Sequence, residues 1–78
     1  MVEREKNMLL EYYDHKREEA ITLKEVAMGE QSRFQVKWTC KVGNNYEADY
    51  TEFRTYNEAR DMFFKFLHTY VLNKQSRP

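Results

Sequence analysis

Residues 34 to 55 carry the pattern that most restricts what this chain can become. Phe34, Val36, Trp38, Cys40 and Val42 alternate strictly with Gln35, Lys37, Thr39 and Lys41. A period of two marks a strand with one buried face. If Gly43-Asn44-Asn45 forms a three-residue loop, Val42 lies opposite Tyr46, Cys40 opposite Ala48 and Trp38 opposite Tyr50. The other face would then set Lys41 against Glu47 and Thr39 against Asp49. One loop length lines up an apolar column and an opposite-charge pair together. The sequence thus predicts a β-hairpin with an apolar side that needs a cover.

The flanking segments are expected to supply that cover. Residues 3 to 20 are rich in Glu, Lys, Arg and Leu, which favour helix, and Met8, Leu9, Tyr12 and Tyr13 fall at helical spacings. The spacing predicts an N-terminal helix. Residues 21 to 28 read two ways. As a strand after a five-residue loop, Met28 would oppose Phe34, Val26 would oppose Val36 and Glu25 would oppose Lys37. As a continued helix, Leu23, Val26 and Ala27 would extend the stripe to a Gly29 cap. The β-branched Ile21 and Thr22, and the open edges of a lone hairpin, tip the balance to a strand. In the second hairpin arm a bulge at Thr51-Glu52 would return Phe53 to the core side.

Thr55-Tyr56-Asn57-Glu58 is a capping box ahead of an apolar-periodic run, so a helix is expected from about residue 56 to about 73. Ala59, Phe63, Phe66, Leu67 and Tyr70 form its core stripe. Residues 74–78 are expected to fray. The fold expected is α+β, a single small domain over 1–78. It has an N-terminal helix, a three-stranded antiparallel meander (or a two-stranded hairpin) and a C-terminal helix. Both helices pack on one sheet face, around Trp38, Tyr50, Phe63 and Phe66.

Composition then narrows function. With 78 residues the core is near the lower limit for independent folding, though five Phe, six Tyr and one Trp enlarge it. Thirteen basic residues balance thirteen acidic ones, so no strong non-specific pull toward phosphate backbones is expected. No apolar stretch approaches the ~20 residues that cross a bilayer, and Glu3 to Lys6 interrupt any signal-peptide pattern. A cytoplasmic protein without a membrane segment is the expectation. The single cysteine, Cys40, reads as a buried small hydrophobe.

No catalytic set is legible. His15 and His68 fall on polar helix sides without a motif, and Cys40 points away from both, so no metal site is expected. Gly29 and Gly43 are isolated, which rules out a phosphate loop. No cofactor, no small-molecule substrate and no enzymatic activity are expected. Leu10, Phe64, Val71 and Leu72 fit neither helix stripe. Surplus apolar groups on a small chain mark an interface, so these four are the candidate partner-binding residues. The favoured function is a non-enzymatic protein–protein interaction module (an adaptor, inhibitor or small subunit), with self-association into a homodimer included.

The rival expectation is a nucleic-acid binder that uses the outer strand face, where Arg33, Lys37 and Lys41 lie in a row. The order helix, three antiparallel strands, helix resembles that of double-stranded-RNA-binding domains. Leu9-Leu10-Glu11-Tyr12, and Gly29 followed by Phe34-x-Val36, are similar to stretches of that family, over residues 8 to about 71. The family carries a lysine cluster at the start of its last helix, to grip phosphates. Here Thr55-Tyr56-Asn57-Glu58-Ala59-Arg60 offers one basic residue, and the last helix carries bulky Met62, Phe63, Phe64 and Phe66 where the family's is rich in alanine. The resemblance therefore implies a degenerate relative that has lost its phosphate grip, and it does not assign the chain to that family.

Overall fold

The described residues make four consecutive antiparallel strands followed by a helical arm: β1 (Glu5–Asp14), β2 (Glu19–Met28), β3 (Gln31–Val42), β4 (Asn45–Phe53) and helix α1 (Tyr56–Phe66), which runs into a π-helical segment, Leu67–Leu72. The structure is a computed structural model and describes residues 5–72. The sheet order is β1-β2-β3-β4, a simple meander.

The expected N-terminal helix is absent; of that stretch, residues 5–14 form β1, residues 15–18 the turn, and Glu19 and Ala20 open β2. Leu10 and Tyr12 pack toward the core, while Glu11 and Tyr13 point the other way. The register jumps from Met8↔Lys24 to Leu10↔Leu23, which leaves Leu9 as a bulge. One extra residue breaks the period of two, and this made helical spacing the more visible pattern. Pairing with β2 overrides the helix-favouring composition. The turn to β2 closes on Asp14, whose Oδ1 accepts from the backbone N–H groups of Lys16 (3.0 Å) and Arg17 (3.3 Å). With no first helix, the element order behind the likeness to double-stranded-RNA-binding domains is also gone.

Residues 21 to 28 take the strand alternative, in a register different from the expected one. Gly29-Glu30 forms a two-residue turn, so Leu23 opposes Val36, Glu25 opposes Phe34 and Val26 opposes Arg33. Gly43-Asn44 does the same between β3 and β4, pairing Val42 with Asn45, Cys40 with Glu47 and Trp38 with Asp49. Gly29 and Gly43 have φ of 66° and 64°. That is the first central position of a tight hairpin turn, where glycine alone is unstrained.

A two-residue loop in place of three slips β4 by one residue, and a slip of one exchanges its two faces. Tyr46, Ala48 and Tyr50 leave the core side for the open face, and Glu47, Asp49, Thr51 and Phe53 take their place. Tyr50 is 51 % exposed and is not a core residue. Phe53 reaches the helix side opposite Phe34 without the expected bulge.

The core forms where α1 lies on the sheet: Ile21, Leu23, Val36, Trp38 and Cys40 below, Ala59, Phe63, Phe66 and Val71 above. Thr55 caps α1, with its Oγ1 accepting from the Glu58 N–H at 3.3 Å and donating to Glu58 Oε1 at 2.8 Å. The expected stripe Ala59, Phe63, Phe66 is buried. Beyond Phe66 the winding loosens to i→i+5 bonding, in which residues five apart share a face. Val71 joins the same buried cluster as Phe66 and is 1 % exposed. The expected frayed tail, 74–78, lies outside the described residues.

Candidate functional site

Two surfaces carry polar chemistry, one on each side of the sheet. Among the described residues no group of three His, Cys, Asp or Glu side chains is placed to hold a metal ion. His15 and His68 are exposed and Cys40 is buried. No described helix is long and apolar enough to cross a membrane.

The open face is the side of the sheet that α1 does not cover. Its middle is small: Ala20, Thr39 and Ala48 lie in one row across β2, β3 and β4. Around that floor stand Tyr13, Tyr46 and Tyr50, exposed by 55 %, 63 % and 51 %. Lys37 lies directly opposite Tyr50, and Lys41 opposite Tyr46. Alternation sets Lys24 and Arg33 on the same face, with Glu11 and Glu52. Four carboxylate contacts already tie this surface down. Lys41 pairs with Glu18 at 3.4 Å, the Tyr46 hydroxyl donates to Glu18 at 3.1 Å, and the Tyr50 hydroxyl donates to Glu52 at 3.0 Å. Gln35 Nε2 also donates to Glu52, at 3.1 Å. The face is aromatic, mixed in charge and nearly neutral.

On the helix side, aromatic and acidic groups of four elements meet. The Trp38 ring stacks on Tyr70 with centroids 3.9 Å apart and planes 9° off parallel. Trp38 Nε1 donates to Glu19 at 2.8 Å, and the Tyr70 hydroxyl donates to Asp49 at 2.8 Å. Glu19 is fully buried; its second oxygen faces Arg17 at 3.5 Å and has no hydrogen-bond partner. Asp49 also accepts the backbone N–H of Tyr50 at 2.9 Å. A groove of about 410 Å³ runs between β4 and the helical arm, bordered by Asp49, Thr51, Met62, Lys65, Phe66 and Tyr70.

These contacts move two phenols. The hydrogen bond to Asp49, then burial, raises Tyr70 above the ordinary tyrosine value of 10.0. Burial, then the Asp14 and Glu19 carboxylates, raises Tyr12, with Arg17 opposing. A phenol held neutral in the fold ionises first in the unfolded chain. This contribution is therefore intact below pH 10.0 and is lost as pH rises through the raised folded values. Tyr70→Phe is expected to flatten the fall in melting temperature above pH 10.0 and to remove a late step from the ultraviolet phenolate titration.

The four residues expected at a partner surface are dispersed. Val71 belongs to the core and cannot face a partner, because the π-helical winding turns it inward. Leu10 is half-buried against the core. Phe64, 51 % exposed and edge-on to Phe63 at 5.4 Å, and Leu72, 48 % exposed, remain at the surface. Of the expected basic row, Lys37 and Lys41 are exposed; Arg33 is half-buried and donates to the Ser32 carbonyl at 3.2 Å. Glu47 and Asp49 do not share their face, since the slip of β4 carried both to the helix side. The open-face tyrosines and the β4 groove were both hidden behind the expected register; the two-residue turn at Gly43-Asn44 was the signal that could have exposed them. No protein-family model, no curated protein and no solved structure matches the chain.

Proposed function

We propose that this protein is a non-enzymatic protein-binding module that engages its partner through the open face of the sheet. One observation carries the reading: three tyrosines, each more than half exposed, ring a floor of small residues on the face of the sheet that α1 does not cover. Tyrosine offers rigid, amphipathic contact area at little entropic cost and is enriched at protein interfaces. The near-neutral charge of the face favours a protein partner over a polyanion.

The test uses Tyr46→Ala/Tyr50→Ala, with Phe64→Ala as control and circular dichroism to verify the fold. A partner captured from the native cell is purified and titrated against each variant. The tyrosine pair is expected to weaken binding at least ~30-fold, the effect of hot-spot residues, and Phe64→Ala to leave it unchanged. Equal affinity for the tyrosine variant would overturn the reading. Sedimentation of the same variants tests whether the partner is a second copy.

The register also favours a second reading. With Glu47 and Asp49 gone from beside them, Lys37 and Lys41 each sit next to a tyrosine, and aromatic platforms between cations bind single-stranded nucleic acid. Titration with single-stranded and duplex RNA and DNA at ~50 mM salt decides it, because phosphate contacts give a steep salt dependence.

A further inference from the structure

The β4 edge of the sheet differs from its open face. β4 is the last strand, paired to β3 alone among the described residues, and its nine residues contain no proline. The helical arm packs mainly over β2 and β3, so Glu47 and Asp49 on the helix side of β4 are exposed. The gap left there is the groove of about 410 Å³. None of its lining residues comes from β3, so it opens along the β4 edge.

We propose that this edge is a second interface, which takes an extended, basic segment of another protein as a fifth strand. Such a segment gains affinity from main-chain hydrogen bonds and selectivity from pockets for alternate side chains. Every second side chain of an added strand would lie on the helix side, over a wall of Met62 and Phe66 flanked by Lys65 and Thr69. Charge sets the kind of occupant. β4 holds Glu47, Asp49 and Glu52 and no Lys or Arg. Opposite charges across a strand pair stabilise and like charges destabilise. A second copy pairing β4 to β4 would bring acids against acids, so the same residues that disfavour self-pairing select a basic strand. Asp49 now covers the Tyr50 N–H. The incoming strand replaces that bond with its own carbonyl and leaves the carboxylate to a lysine or arginine.

The test is amide-resolved NMR of the intact chain with three capped octapeptides: alternating Lys-Val, alternating Glu-Val, and Lys-Val with two interior valines changed to proline. The first is expected to give saturable shifts along β4 and the groove side of the helical arm, and the other two none. Glu47→Gln/Asp49→Asn is expected to weaken the Lys-Val peptide roughly fivefold through two lost charge pairs. No saturable shift from the Lys-Val peptide would overturn the proposal. So would equal binding of the proline peptide, which needs charge alone, or shifts confined to the Tyr13 and Lys37 face. Because the open-face reading is tested with tyrosine variants, the two can fail separately.

Discussion

Trp38→Ala is expected to leave the chain unfolded at room temperature. Trp38 is 4 % exposed, stacks on Tyr70 at 3.9 Å and donates to the buried Glu19. Removing a buried aromatic of this size costs ~3–5 kcal/mol, and a domain this small holds ~3–5 kcal/mol in total. The loss is compounded because Glu19 would surrender the hydrogen bond from the indole while remaining buried. Trp38→Phe keeps a ring against Tyr70 but loses the donor, and should melt between the two. Phe63→Ala should behave like Trp38→Ala, since Phe63 is 4 % exposed in the same cluster. A sharp, cooperative thermal transition for Trp38→Ala near the wild-type temperature would show that the core lies elsewhere.

Arg17→Ala has the next largest expected effect, although Arg17 lies outside any strand. Its guanidinium stands 3.5 Å from Glu19 Oε1, and its side chain is 32 % exposed against 0 % for Glu19. Removing one partner strands the other charge in the interior, which costs ~3–5 kcal/mol for fully buried pairs. The exposure of Arg17 brings this to about 2–3 kcal/mol. Glu19→Gln removes the charge and still accepts from Trp38. In that background Arg17→Ala should cost little, so the double variant should regain most of the loss. Urea denaturation of the four proteins measures the coupling. An unchanged penalty in the Glu19→Gln background would mean that Arg17 acts through packing of its stem.

What the sequence made legible follows the strength of each local signal. β3 was readable because five apolar residues alternate without a break, and α1 because its cap and its stripe of Ala59, Phe63 and Phe66 agree. β1 was not, because the bulge at Leu9 interrupts its alternation and Glu, Lys and Leu favour helix when read alone. The β3–β4 register failed for another reason. Tyrosine is at home on either face of a sheet, and the slip by one still gave plausible partners, Lys41 with Glu47 and Trp38 with Tyr50. The choice rested on loop length, which Gly43-Asn44-Asn45 left open. That single residue decided whether Tyr46 and Tyr50 built the core or the open face. It also decided whether Asp49 neutralised a basic row or received the Tyr70 hydroxyl. Val71 was misplaced because nothing in its own neighbourhood announces π-helical winding.

The register of β4 against β3 is therefore the pivot of both the fold and the proposed surfaces, and cross-strand nuclear Overhauser contacts measure it directly. The four-strand meander predicts main-chain contacts joining Lys37 to Tyr50 and Thr39 to Ala48, with the Trp38 ring close to that of Tyr70. Main-chain contacts joining Trp38 to Tyr50 and Cys40 to Ala48, with the Tyr50 ring near Phe63, would return the tyrosines to the core and contradict the account.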